Sequence, residues 1–180
     1  MCAMLISSCQ DMGVDQPEET DLLQGGPGVI VPGIGVEGIS LGVTVDSVER
    51  ELGTLRYDYI ATGNSRIWRD YSYGDSLQLS LEFCFIEDGP GIGSLDMIEI
   101  GSAYHGKTRG GIGIGSSLQS VHRVYGVPEK TQSYPDQGLI YEYYCLNERA
   151  FAVGYMDSVV NGFGIYYFVP LPADAMYPCR

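Results

Sequence analysis

The sequence predicts an α+β fold built as a tandem repeat, in which each copy is a short helix followed by an antiparallel β-meander. Three observations support this: a motif that occurs twice, helical periodicity within the motif, and alternating apolar residues after it. Residues 38–53 align without gaps on residues 111–126, which lie 73 residues further along, and seven of the sixteen pairs are identical. Unrelated segments would share roughly one pair, so we interpret the match as an internal duplication.

Each copy of the motif is expected to form one short amphipathic helix. Apolar residues recur at i, i+3 and i+7, which gives each helix one buried stripe: Val45, Val48 and Leu52 in the first copy, and Leu118, Val121 and Tyr125 in the second. Thr44 and Ser117 precede these runs and can serve as N-caps. Gly53 and Gly126 follow them, where a left-handed backbone favours glycine. Helices of about two turns are unstable alone in water, so they must pack on a sheet.

Strands are expected after each helix because apolar and polar residues alternate with period two, most clearly from Leu77 to Phe85. The predicted strands are Ile67–Tyr73, Leu77–Phe85, Leu95–Ile100, Leu139–Cys145, Phe151–Tyr155 and Gly164–Phe168. Gly74-Asp75-Ser76 is the expected turn of one hairpin, and Asn161-Gly162 that of another. We expect the helices to pack on one face of the sheet and to leave the other face for partners.

We divide the chain into three segments: residues 1–26, repeat 1 at 27–105 and repeat 2 at 106–180. Leu5-Ile6-Ser7-Ser8-Cys9 resembles a bacterial lipobox, which implies that Cys9 carries the lipid. The acidic residues that follow have no periodicity and too few apolar side chains to fold, which suits a tether. We therefore interpret residues 1–26 as a clipped lipoprotein signal and acidic tether. This places the protein in the bacterial envelope, as an outer-membrane lipoprotein or in the periplasm, and limits membrane contact to a lipid anchor.

Charge and residue spacing exclude several classes of function. The formal net charge of −13 disfavours nucleic acid and anionic lipid as partners. The five cysteines have no C-x-x-C spacing, so we expect no metal site and favour thiols at Cys84, Cys145 and Cys179, while leaving a Cys84–Cys145 disulfide open. Gly33 to Gly38 spells G-x-G-x-x-G without the strand-to-helix context of a dinucleotide site, so no cofactor is expected.

The glycine–aliphatic–helix–glycine phrase of residues 38–53, followed by strands, resembles the small α+β module of the SmpA/OmlA lipoproteins. Its tandem arrangement resembles the beta-lactamase inhibitor proteins. The resemblance covers about residues 36–168. It implies a protein-binding role without catalysis, in envelope assembly or enzyme inhibition. The partner and the oligomeric state stay open.

Fourteen tyrosines suggest where a partner would bind. Tyr71, Tyr73, Tyr141 and Tyr143 are the predicted contact residues, because tyrosine supplies large contact area at low entropic cost. The chain is therefore predicted to be a protein-binding module rather than an enzyme. One alternative is a small-ligand binder or an unrecognised enzyme, with His105 and Arg109 converging on a cleft between the repeats. Another is a structural subunit that pairs through exposed edge strands. His122 is expected on the solvated side of the second helix.

Overall fold

The computed structural model describes residues 28–63, 66–75, 78–86, 93–146 and 149–167. The predicted tether at 1–26, the lipidation site Cys9, Cys179, and the predicted strand ends Leu77 and Phe168 lie outside these ranges. No helix in the described ranges is long and apolar enough to span a bilayer.

Two α-helices, one 3-10 turn and twelve strands make up the described chain. In order these are β1 Val29–Val31, β2 Gly35–Val36, β3 Ile39–Ser40, α1 Val45–Leu52, β4 Arg56–Gly63, β5 Arg66–Asp75, β6 Gln78–Ile86, β7 Leu95–Ile100, β8 Lys107–Thr108, α2 Leu118–Tyr125, β9 Lys130–Tyr134, the 3-10 turn Pro135–Gln137, β10 Leu139–Leu146, β11 Arg149–Met156 and β12 Val159–Tyr167.

These strands form two sheets. The larger is antiparallel and has eight strands in the order β4-β5-β6-β7-β12-β11-β10-β9. The smaller has four, in the order β3-β2-β1-β8, and its β1–β8 ladder is parallel, with Ile30 opposite Thr108.

The predicted fold class, a tandem repeat of a short helix plus an antiparallel meander, is wrong. Strands dominate the described chain, and β7 from the first half pairs with β12 from the second, with Ile98 opposite Ile165. A four-stranded meander leaves two edges with unpaired N–H and C=O groups, and the β7–β12 ladder pairs one edge from each half. The glycine-rich segments before the helices add the smaller sheet. The repeat boundaries at 27–105 and 106–180 stay predictions.

The helices occupy the predicted positions, but their caps differ. The hydroxyl of Ser117 accepts a hydrogen bond from the Ser120 N–H at 3.2 Å. Thr44 makes no such bond to the backbone, and its hydroxyl lies 3.2 Å from the Ser47 hydroxyl instead. Gly53 and Gly126 end the two helices at φ 92° and 80°, with ψ −173° and −150°. This region is essentially limited to glycine, which explains the residue at both positions.

The hairpin turn predicted at Asn161-Gly162 is wrong. Both residues lie inside β12, next to the bulge where β11 shifts register at Gly154 and Tyr155. The turn is Asp157-Ser158, whose φ angles are 53° and 63°. Positive φ at both central residues is the requirement of a type I′ turn, and aspartate meets it at modest strain.

The core lies on one side of the larger sheet, here called the inner face. Its buried side chains include Phe83 and Phe151 from the sheet, Val48 and Val121 from the two helices, and Ile30 from the smaller sheet. The opposite side, here called the outer face, carries a second and smaller buried cluster of Cys84, Ile86 and Met97. Since side chains alternate along a strand, neighbouring residues of one strand belong to different faces.

Candidate functional site

Four tyrosines share the outer face of the strands β9 to β12, and we call them the outer tyrosine surface: Tyr134, Tyr141, Tyr143 and Tyr166. All four are half-buried. The Tyr134 and Tyr141 rings meet edge to face at 6.0 Å, and the Tyr143 and Tyr166 ring centroids lie 6.4 Å apart. The Lys130 ammonium lies 5.7 Å from the centre of the Tyr143 ring, within the range of a cation–π contact.

Glycines make room for this surface. A Cβ built on Gly154 would lie 2.9 Å from Cε1 of Tyr141, and one built on Gly164 would lie 2.6 Å from Cε1 of Tyr166. Both rings therefore pack directly against the glycine backbone, and any side chain at position 154 or 164 would displace them. Ala152, which precedes Gly154 by two residues on β11 and lies opposite Gly164 on β12, is fully buried. The small residues let the tyrosine rings pack close to the sheet. Because the rings are already restricted, less of their side-chain conformational entropy is lost when a partner binds.

A groove of about 290 Å³ runs beside the tyrosines. Tyr141 and Tyr166 form its walls, the glycines of β11 and β12 form its floor, and Glu99, Ser102 and Asn161 supply polar groups. Burial, followed by the charge on the neighbouring groups Tyr143 and Glu99, raises the pKa of Tyr166, so this phenol stays protonated and can donate a hydrogen bond.

Two of the four predicted contact residues lie elsewhere. Tyr71 stands opposite Phe83 on the inner face, and its ring meets that of Phe85 edge to face at 5.6 Å. Tyr73 also packs against the main core from the same strand. Tyr141 and Tyr143 lie together on the outer face. The structure therefore does not bring the four predicted tyrosines into one surface, and it adds Tyr134 and Tyr166 to the outer pair.

A hydrogen-bonded carboxylate lies inside the second half of the inner face. Glu142 is 5% exposed, and its Oε2 accepts hydrogen bonds from the hydroxyls of Tyr144 at 3.0 Å and Tyr155 at 2.8 Å. Nε2 of His122 lies 2.8 Å from Oε1 of the same group. Burial, and then the bond to Glu142, raises the pKa of both tyrosines. The side chain of His122 is 41% exposed, in agreement with its predicted place on the solvated side of the helix, and its contact with Glu142 also connects helix α2 to strand β10.

A cavity of about 380 Å³ opens beside the segment that joins the two halves. Glu37, Tyr73, Tyr104 and His105 contribute to its lining, while Arg109 does not. The Glu37 carboxylate accepts hydrogen bonds from the Gly28 N–H at 3.0 Å and from the Tyr104 hydroxyl. Burial, together with this carboxylate, raises the pKa of Tyr104. Of the two groups predicted to converge on a cleft here, only His105 reaches it.

The cysteines differ from the prediction at one position. Cys84 is disulfide-bonded and fully buried on the outer face, whereas a thiol was expected there. Cys145 carries a thiol, so it is not the partner of Cys84. Among the described residues, no three His, Cys, Asp or Glu side chains are grouped as metal ligands.

The outer pair Tyr141 and Tyr143 could be found from composition and alternation, but the other site residues could not. Tyr166 is brought to Tyr143 by the pairing order of β10, β11 and β12, which leaves no local signal in the sequence. The Glu142 cluster joins a helix to a strand 20 residues further on. The glycines of β11 and β12 are the one feature of the sequence that indicates this packing, since glycine inside a strand often marks a site where another group closely approaches the backbone.

No family model and no curated protein matches this chain. Among solved structures it is similar to YjgB of Bacillus subtilis, a DUF4309 family protein, with 13% identity, a TM-score of 0.46, and coverage of 75% of this chain and 88% of that one. It is also similar to the uncharacterized protein YfeY of Escherichia coli, with 12% identity, a TM-score of 0.48, and coverage of 79% and 99%. A cysteine-rich secretory protein of Staphylococcus aureus matches with 13% identity and a TM-score of 0.49, over 79% of this chain and 48% of that one. The resemblance to SmpA/OmlA and the beta-lactamase inhibitor proteins stays a prediction.

Proposed function

We propose that this chain is a non-catalytic protein-binding module of the bacterial cell envelope, and that it binds its partner through the outer tyrosine surface. The observation that supports the proposal is the packing of Tyr141 and Tyr166 over Gly154 and Gly164. Tyrosine is among the residue types that are enriched at the positions that dominate binding energy in protein interfaces. The groove beside them gives a partner side chain a place to insert.

The electrostatics favour a basic partner surface. The chain carries a formal net charge of −13, and Glu99 lies in the groove. Opposite charge on the partner would steer the encounter and raise the association rate more than the final affinity. Nucleic acid is disfavoured as a ligand for the same reason.

The envelope location rests on two features. The segment that ends at Cys9 resembles a lipobox and precedes an acidic stretch. Cys84 forms a disulfide, and such bonds persist in oxidising compartments and are rare in the reducing cytosol. A lipid on Cys9 would hold the module at the membrane surface while the outer face stays available. Envelope assembly and enzyme inhibition are the two roles that this arrangement suits.

The test is affinity capture with a pair of matched variants. The full chain is immobilised and exposed to a detergent extract of the source cell's envelope at low salt, and retained proteins are identified by mass spectrometry. We expect one stoichiometric protein that is lost with the double substitution Tyr141→Ala and Tyr143→Ala. The loss should exceed about tenfold in affinity, because truncating a tyrosine that is a hot spot of an interface costs about 2 kcal/mol or more.

The control is Ile140→Ala on the same strand. Ile140 is 42% exposed and adjacent to Tyr141, but it belongs to the opposite face of the sheet. Circular dichroism and thermal unfolding of each variant establish that it is folded. Equal capture by the tyrosine variant and the wild type would exclude the outer tyrosine surface, and a loss with Ile140→Ala alone would move the contact to the inner side.

A second candidate function is the binding of a small ligand in the cavity near His105. The observation that favours this function is the cavity of about 380 Å³. The Glu37 carboxylate and the Tyr104 hydroxyl are hydrogen-bonded to each other at its wall, so a ligand with a hydrogen-bond donor, such as an amine, suits it. Native mass spectrometry of the purified protein would reveal a retained molecule. Ala103→Phe should displace it by filling the cavity, whereas Val127→Phe at an 82% exposed position should not. A mass that equals the bare chain in every preparation would exclude a tightly bound ligand.

A further inference from the structure

The groove beside the outer tyrosine surface has a floor that is covered only in part. The Tyr141 ring packs over Gly154, and the Tyr166 ring packs over Gly164. Gly162 lies opposite Gly154 in the β11–β12 ladder and also lines the groove. Among the residues that the structure describes, and apart from its chain neighbours, no side chain lies within 4 Å of a Cβ built on Gly162. This part of the floor is therefore accessible beside two aromatic rings.

An acidic side chain stands next to this floor. Glu99 of β7 lies opposite Gly164 in the β7–β12 ladder and lines the groove. Because directly opposite residues share a face of the sheet, Glu99 is on the side that carries the Tyr166 ring. Ser102 and Asn161 add a hydroxyl and an amide to the same lining. The groove thus offers one negative charge and several hydrogen-bond acceptors to a ligand.

These groups match the chemistry of the arginine side chain. A guanidinium is planar, is always charged and stacks on aromatic rings, and its five N–H donors pair with carboxylate, amide and hydroxyl oxygens. A lysine ammonium is a compact and strongly hydrated charge, so it has no flat face to place on a ring. The groove volume of about 290 Å³ is small for a site that holds a separate small molecule, and it suits one inserted side chain.

The charges along the outer face favour a cation at this place. Cross-strand pairing joins Glu99, Gly164, Ala152, Tyr143 and Lys130 into one row from β7 to β9. At the β9 end the Lys130 ammonium lies 5.7 Å from the centre of the Tyr143 ring, so the chain already makes one cation–π contact of its own on this surface. The β7 end carries the carboxylate. A partner cation is therefore repelled from the β9 end and attracted to the β7 end, where the groove lies.

We propose that the groove binds an arginine side chain of the partner protein, with the guanidinium stacked on Tyr166 and paired with the Glu99 carboxylate. Tyr141 forms the second aromatic wall, and the bare backbone at Gly162 lets the planar group approach the sheet. This inference rests on the proposed binding function and specifies the residue that the partner inserts.

The test is a titration of the isotope-labelled full chain with short peptides, followed by NMR at low salt. Three acetylated and amidated pentapeptides carry arginine, citrulline or lysine between two alanines on each side. Citrulline keeps the shape of arginine without its charge, so it is the matched control. We expect the arginine peptide to shift the amide signals of Gly154, Gly162 and Gly164 until they saturate. The citrulline peptide should bind at least about fivefold more weakly, because hydrogen bonds to a charged group are the stronger ones.

The lysine peptide should also bind more weakly than the arginine peptide, since it cannot stack. Equal binding of the arginine and citrulline peptides, tighter binding of the lysine peptide, or no saturable shift at the three glycines would overturn the proposal.

Glu99→Gln tests the ion pair separately from the net charge. This variant should weaken the arginine peptide at least about fivefold and leave the citrulline peptide nearly unchanged, because it removes the charge and keeps the shape. Glu51→Gln removes one negative charge at an exposed position of α1 and should change neither affinity. Circular dichroism of both variants establishes that they are folded. Equal losses in the two variants would mean that only the net charge attracts the peptide, and the arginine site would be wrong.

The arginine site and the proposed function fail in different ways. If a protein is captured through Tyr141 and Tyr143 but the arginine peptide has no preference for the groove, the binding function stands and the arginine is excluded. If the arginine peptide binds in the groove and no protein is captured from the envelope extract, the specificity of the groove is supported and the proposed function loses its support.

Discussion

Glu142 shows how one buried charge can be held in an apolar core. A carboxylate that is 5% exposed must replace the water it has lost, and Tyr144, Tyr155 and His122 supply the donors. Because His122 belongs to helix α2 and Glu142 to strand β10, the same bonds also fix the helix on the sheet. This explains why a polar pair occupies a position that a hydrophobic contact could fill.

The prediction at this scale is that Glu142→Gln destabilises the fold. The amide keeps the shape but loses the charge, and its NH₂ group faces hydroxyls that donated to the carboxylate. We expect a loss of about 1–3 kcal/mol in the free energy of unfolding, as for other buried hydrogen-bonded groups. Urea unfolding at neutral pH measures it, with Glu51→Gln on the exposed side of α1 as the control. An unchanged or increased free energy of unfolding would mean that desolvation of the carboxylate outweighs its three hydrogen bonds.

The two helices have the same length and the same position in their copies of the motif, yet their first turns differ. Ser117 caps α2 through the backbone N–H of Ser120, whereas the Thr44 hydroxyl contacts only a side chain. The orphan N–H groups of a helix start are satisfied by such caps or by water. The same sequence motif therefore yields one side-chain-capped and one uncapped helix.

We expect Ser117→Ala to lower the free energy of unfolding by about 1 kcal/mol, the usual loss for an N-cap. Thr44→Ala should lower it by only a few tenths of that, because no backbone cap is removed. Thermal or urea unfolding of the two single variants compares them directly, and each serves as the control for the other. Equal losses would show that the hydroxyl of Ser117 adds nothing beyond what Thr44 supplies.

The elements that could be predicted are those with a strong local period. The strand Leu95–Ile100 matches its prediction, and the strand predicted from Leu139 extends one residue further. The strand β9, with its polar sequence Lys130–Tyr134, gave no such signal, because its structure depends on pairing with β10. For the same reason the site was predicted only in part: alternation identified Tyr141 and Tyr143, whereas the faces of Tyr71 and Tyr73 depend on the register of β5 against β6.

Over the whole molecule, buried phenols link stability to pH. Burial is the main cause of a raised pKa at Tyr104, Tyr125, Tyr144, Tyr155 and Tyr166. For Tyr125 the pKa rises to about 12, even though a hydrogen bond with Thr108 lowers it in part. Tyr104 lies in the segment that joins the two halves and Tyr125 in helix α2. The other three lie in the strands β10, β11 and β12 of the larger sheet. A single change of solvent pH therefore acts on the joining segment, helix α2 and the strands β10 to β12 together.

The sign of this effect follows from the direction of the shifts. The folded state holds the phenol proton more tightly than the unfolded chain, where tyrosine ionises near about pH 10. The stabilisation is therefore complete below pH 10 and is lost as the pH rises through about 12, the value for Tyr125. As far as these five phenols determine it, we expect the urea midpoint of unfolding to stay constant below pH 10 and to fall steeply above pH 10. The tyrosinate absorbance of these five residues should appear together with the loss of circular dichroism. Tyr125→Phe removes one titrating group and should make the fall between pH 10 and 12 shallower. If all the tyrosines ionise near pH 10 while the protein stays folded, these phenols are not shielded from water as the structure places them.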